Sequence, residues 1–130
     1  MILLDTHVLI WWVNGDHHNL SATALAAIEA QDQTRLVSAI SCWEVAMLVR
    51  RGRLGLTIDV AHWCALLESI PRLRLLPLSP TVAVAATQLP EPFHPDPADR
   101  FLVAQARDLN VSLVTADSKI RAYPHLQSLW

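Results

Sequence analysis

Four carboxylates stand where apolar segments end: Asp5 directly after Ile2, Leu3 and Leu4; Glu44 shortly after RLVSAI; Asp99 in PDPADR; and Asp117 after SLVTA. Like charges about 4 Å apart repel by roughly 4 kcal/mol per pair at an effective dielectric near 20. Four of them gathered in one place therefore need protons or a cation. With no Cys or His among them they form a hard oxygen donor set, which suits Mg²⁺ or Mn²⁺ rather than Zn²⁺. Such an ion holds and polarises a phosphate and lowers the pKa of an attacking water. Hydrolysis of a phosphodiester is the chemistry that follows most directly.

The elements that must bring these acids together are legible in outline. Residues 2–4 have the branching and length of a buried strand, and 6–13 form a helix closed by Asn14-Gly15-Asp16. Ser21 caps a helix over 22–31. Residues 35–40 read as a second strand and 41–51 as the helix leaving it, with Gly52 at its end. Ser41 stands as the N-cap of that helix and Glu44 three residues later, at the capping-box spacing. Further on come a helix over 59–69, a third strand over 72–78, and a helix over 81–89 opened by Ser79-Pro80. The proline-rich PEPFHPDP is a stiff connector, after which Asp96 caps a helix that Asn110 closes. Residues 112–114 make a fourth strand, and the tail holding Tyr123, Pro124, Leu126 and Trp130 ends in a short strand.

Strands alternate with helices throughout, so the fold class is an α/β sandwich around a largely parallel sheet. In such a sheet ligands collect at the carboxyl edge. Asp5, Glu44 and Asp117 sit at that edge; Asp99 begins a helix and reaches it only if the connector brings it there.

Each of these residues also has an ordinary reading. Glu44 is a first-turn acid favoured by the helix dipole, and Asp96 is an N-cap. The hydroxyls of Thr6, Ser41 and Thr115 either orient a carboxylate or a metal-bound water from behind or cap local backbone. His17 and His18 read as solvated loop residues, and His94 as a loop or structural residue. Arg50, Arg51 and Arg53 form the densest basic cluster, a solvated face or partner surface first and an RNA contact second. Trp11, Trp12, Trp43 and Trp63 read as core and dimer surface.

The 130 residues, 52% hydrophobic, suit a single domain over 1–130. A net charge of −2 lacks the uniform basicity of a duplex-coating protein. Cys42 and Cys64 belong to no CxxC pair and read as buried free thiols. No basic leader precedes the first apolar run, and no run approaches the length of a membrane span, so a soluble cytoplasmic protein is expected.

LLDTHVLIWW, SAISCWEVAML, HPDPADRFLVAQA and LVTADSKI, in this order and spacing, resemble the four signature blocks of the PIN domain in VapC-type toxin ribonucleases of bacterial toxin–antitoxin systems. The resemblance implies a three-layer sandwich and a Mg²⁺-dependent endoribonuclease acting on RNA. It places the acidic quartet on Asp5, Glu44, Asp99 and Asp117, with Asp99 ahead of Asp96 and Asp96 as a contributor. It further implies a cognate antitoxin that inhibits the site, and a homodimer. Two rivals are a catalytically silent partner-binding domain of the same fold and an aspartyl-phosphate phosphohydrolase. The latter needs a second Asp two residues after the first, where this chain has His7.

Overall fold

The computed structural model describes residues 1–130. In chain order the elements are β1 (Ile2–Leu4), α1 (Thr6–Val13), α2 (Ala22–Glu29), β2 (Arg35–Ser38), α3 (Ala39–Arg50), α4 (Val60–Leu67), β3 (Leu73–Leu76), α5 (Pro80–Thr87), α6 (Pro97–Leu109), β4 (Ser112–Val114), α7 (Ser118–Arg121) and β5 (Ser128–Leu129). The five strands make one sheet in the order β3-β2-β1-β4-β5, and every pairing is parallel.

Strand alternation splits the interior in two. Leu3, Leu36 and Leu113 point into a core built with α5, α6 and α7. Ile2, Leu4, Val37, Leu73 and Val114 point the other way, against α1, α2 and α4. With a period of two, neighbouring residues of one strand serve opposite faces, which is why β1 reads as an unbroken apolar run and the adjacent Leu113 and Val114 of β4 enter different cores.

The topology turns around β1. The chain passes from β1 outward to β2 and β3, then returns across the sheet to β4 on the other side of β1. A crevice opens at the carboxyl ends where this reversal occurs, between the residues that follow β1 and those that follow β4. No helix is long and apolar enough to cross a membrane.

The structure revises several local expectations. β2 stops at Ser38, whose hydroxyl accepts from the backbone N–H of Ile40 at 3.2 Å and caps α3. Ser41 is therefore inside the helix and buried, and Glu44 lies in the second turn rather than in a capping box. An apolar run such as VSAI fits a strand or a first helical turn equally well by periodicity; a serine three residues earlier takes the cap. β3 is shorter than expected because Arg72 adopts a left-handed φ of 57° and Pro77 has no N–H for the ladder. The four-residue α7 escaped the sequence, since its apolar signal is one residue, Ile120.

Cys42 and Cys64 are half-buried free thiols at the α3–α4 contact rather than fully buried ones. Partial burial, with Cys42 alongside, pushes the Cys64 thiol up to about 12. Trp63 is in the core, Trp11 and Trp12 are half-buried, and Trp43 is 52% exposed.

Candidate active site

Asp5 owes its place to β1 and α1 together. Its backbone N–H donates to the Val114 carbonyl at 3.0 Å, extending the β1–β4 pairing by one residue, and its carbonyl accepts the first bond of α1 from Leu9. The carboxylate accepts from the Thr6 backbone N–H at 2.7 Å through Oδ1 and from the Thr115 hydroxyl at 2.6 Å through Oδ2. The same Thr115 hydroxyl accepts from the Asp117 backbone N–H at 3.0 Å. One buried threonine thus ties the ends of β1 and β4 across the switch point.

Thr6 does the corresponding work for α3. Its Oγ1 lies 2.6 Å from Oε1 of Glu44 and 2.9 Å from Oγ of Ser41. A hydroxyl has one proton, and a carboxylate only accepts, so Thr6 donates to Glu44 and accepts from Ser41. The chain Ser41 to Thr6 to Glu44 fixes the carboxylate from behind. Replacing Thr6 by Val should preserve the packing but break this chain, lowering any activity of the site by roughly 10–100-fold, as loss of an outer-shell partner does. Thr6→Ser should restore it; equal activity of the Val and Ser variants would separate Thr6 from the chemistry.

Asp99 arrives with the proline connector. Pro97 opens α6, and the Asp96 carboxylate accepts from the Asp99 N–H at 3.0 Å, so Asp96 is the cap. Arg100 anchors the connector from the inside: it donates to the carbonyls of Ala86, Phe93 and His94 and pairs with Glu91 at 3.3 Å. This holds His94 with its Nε2 3.2 Å from Oδ2 of Asp99, a close approach that is not aligned as a hydrogen bond. Asp117 spends Oδ1 on the N–H groups of Lys119 and Ile120, capping α7.

Asp5, Glu44, Asp99 and Asp117 thereby line one hollow of about 380 Å³, together with Asp96, His7, Val8, Trp11 and Ala116. Thr6, Ser41 and Thr115 are buried behind it. The hollow does not include Arg50, Arg51 or Arg53; α3 runs away from the acidic edge, and Arg50 is roughly 9 Å further along its axis than Glu44. Trp11, expected in the core or at a dimer surface, lines the hollow instead, and so does His7, to which the sequence assigned no role. Their signal is positional: four residues apart on the helix that Asp5 starts, they share its face toward the acids.

Burial pushes the carboxyls of Asp5 and Glu44 above the usual carboxylate range, against the hydrogen bonds from Thr115 and Thr6 that favour ionisation. Asp99 is raised to about 8, first by burial and then by the negative charges of Asp5, Asp96, Asp117 and Glu44. The site carries a surplus of negative charge faced only by the imidazoles of His7 and His94. No three donor side chains converge on one point as they stand, yet the all-oxygen donor set and the uncompensated charge fit a hard divalent cation.

The charge surplus has a measurable consequence without any substrate. A carboxyl raised from 3.8 to about 8 on folding gives stability that is full below the unfolded pKa and is lost as pH rises toward the folded one. In chelator, the melting temperature should therefore fall between about pH 4 and pH 8. Adding Mg²⁺ should raise it more at the upper end of that window than at the lower, where protons already neutralise the acids; a Mg²⁺ effect independent of pH would contradict the shared charge.

A parallel α/β sheet with an acidic crevice at its switch point belongs to the class of open α/β folds that bind ligands at the carboxyl edge. The PIN domain family matches residues 2–126 of this chain. "Ribonuclease VapC22" of Mycobacterium tuberculosis is 39% identical over 124 residues, covering 95% of this chain and 92% of that one. Among solved structures, VapBC2 from Rickettsia felis, bound to a DNA fragment of its promoter, superposes with a TM-score of 0.68 at 19% identity over 98% of this chain and 97% of that one. VapC20 of M. tuberculosis, described as a Sarcin-Ricin loop cleaving toxin, gives 0.65 at 14% identity over 98% and 99%. The chain belongs to the PIN domain family.

Proposed function

We propose that this protein is a Mg²⁺-dependent endoribonuclease toxin, with Mn²⁺ as an alternative ion, that hydrolyses RNA phosphodiester bonds in the cytoplasm and is neutralised by a cognate antitoxin. The observation that carries the reading is the gathering of Asp5, Glu44, Asp99 and Asp117 around one hollow with no cationic side chain among them. The 39% identity to a ribonuclease named VapC22 supports the substrate class, and the likeness to toxin–antitoxin complexes supports the partner.

Asp5, Glu44, Asp99 and Asp117 would hold the ion. When bound, it polarises the phosphate and makes water a competent nucleophile near neutral pH. Thr115 and the Ser41–Thr6 pair keep Asp5 and Glu44 in place, so that little reorganisation is needed when substrate arrives. Asp96 stays a backbone cap on the rim and adds negative charge. The exposed Trp43, beside an apolar hollow lined by Ile40, Leu78 and Phe101, is the face on which a second copy would pack to form a homodimer.

The test is cleavage of total bacterial RNA by purified protein in Mg²⁺ and in excess chelator, with the new ends analysed chemically. Attack by water should leave a phosphate monoester on one fragment and a hydroxyl on the other. Cyclic phosphate ends, or cleavage that continues in chelator, would point to attack by the ribose hydroxyl and end this reading.

A further inference from the structure

Beside the acidic hollow lies a second, larger one of about 630 Å³, lined by Phe93, His94, Lys119, Tyr123 and His125 among others. The two share a wall: the His94 ring that lines this groove is the ring 3.2 Å from the Asp99 carboxylate. Lys119, the only lysine in the chain, follows Asp117 by two residues and is exposed here.

Resting on the ribonuclease reading, we infer that this groove holds a nucleotide of the RNA next to the scissile phosphate, with its base against the aromatic rings and its phosphate at Lys119. Three features favour RNA as the occupant. Four rings pack on one another along one side of the groove, tilted or edge-on, with centroids 4.4 Å apart for Phe93 and His94, 4.6 Å for Phe93 and Tyr123, and 5.3 Å for Tyr123 and His125; Tyr123 is buried at their centre, Phe93 and His94 are half-buried and His125 is exposed. Every base has a face that stacks on such rings, so the wall gives affinity without demanding one sequence.

The second feature is electrostatic. The acidic hollow repels a polyanion until a cation is bound, and Arg50, Arg51 and Arg53 lie at the far end of α3. Lys119, two residues after Asp117, is the cation that lines this groove, whereas the Arg100 guanidinium is spent on backbone carbonyls and Glu91.

The third is rigidity. Tyr123 is buried and its hydroxyl donates to the Pro90 carbonyl at 2.6 Å, while Arg100 stacks over Phe93 at 5.9 Å and bonds the carbonyls of Phe93 and His94. The wall is held from behind while His125 and Lys119 remain exposed in front. A preformed wall loses little entropy when a base settles on it.

The experiment uses the 130-residue chain carrying Asp5→Asn, expected to hold RNA without cutting it, and total RNA containing thiouridine. After irradiation, crosslinked peptides should map to residues 92–94 or 122–125. In the same background, Lys119→Gln with His125→Ala should weaken RNA binding about tenfold and flatten its salt dependence. Both side chains are exposed, so an unchanged melting temperature is the control.

Crosslinks confined to the Trp43 face or to Arg50, Arg51 and Arg53, or unchanged RNA affinity, would overturn the assignment. Loss of a second copy or of antitoxin from the double variant, with RNA affinity intact, would give the groove to a protein instead. Failure of the wild-type chain to cleave RNA would remove the underlying reading and this one with it. Cleavage that persists with crosslinks elsewhere would remove this one alone.

Discussion

Asp5→Asn should lower RNA cleavage by at least about 100-fold while leaving the fold intact. The lower bound is what loss of an outer-shell partner of a metal site typically costs, and Asp5 is proposed as a direct ligand. The side-chain carbonyl of Asn can still cap α1 at the Thr6 N–H, since Asn and Asp are comparable N-caps. Its amide can donate to the Thr115 hydroxyl, which has a lone pair to spare beyond the bond from Asp117. What disappears is one negative charge at the centre of the cluster that raises Asp99. In chelator near neutral pH, the variant should therefore melt no lower than wild type. Measuring kcat/KM beside a thermal melt separates the two effects. Wild-type cleavage by the variant would sink the assignment of the site; an inactive variant that also unfolds would leave Asp5 as a structural cap.

Leu3→Ala and Leu4→Ala should each destabilise the protein by about 2–5 kcal/mol, out of a total of roughly 5–15 kcal/mol for a domain of this kind. Both side chains are fully buried, on opposite faces of the central strand, Leu3 in the core with α6 and Leu4 in the core with α1. A sheet covered on one side would show one large effect and one small one. Urea unfolding measures both, and a loss below about 0.5 kcal/mol at either residue, the size of an ordinary surface change, would contradict a double layer of helices. Because Asp5 is fixed by the end of β1, both variants should also lose cleavage in step with their unfolded fraction.

The acidic site shows how far residue types carry an argument and where they stop. The boundaries of the strands fixed which acids face the carboxyl edge, since a parallel sheet has one. Glu44 reached that edge despite a misplaced helix start, because a shift of three residues is nearly one helical turn and leaves the side chain on a similar face. The roles of Thr6, Ser41 and Thr115 were open between caps and supports. Thr115 does both, accepting from the nearby Asp117 N–H, but the partners that make these hydroxyls supports lie 35 to 110 residues away, and no local pattern encodes a contact at such separation.

By itself the sequence determined the alternation of strand and helix and the short set of acids worth considering. These follow from local physics: apolar periodicity, caps, and the φ restriction of proline. Only the tertiary structure decided that Asp99 joins the other three, because its position depends on Arg100 pinning the connector to α5 from within. It also decided that His7 and Trp11 line the hollow, that the arginine cluster does not, and that an aromatic groove with the sole lysine adjoins it. Those facts arise where segments distant in the chain share one sheet edge, and the order β3-β2-β1-β4-β5 is set by the packing of the whole core rather than by any stretch within it.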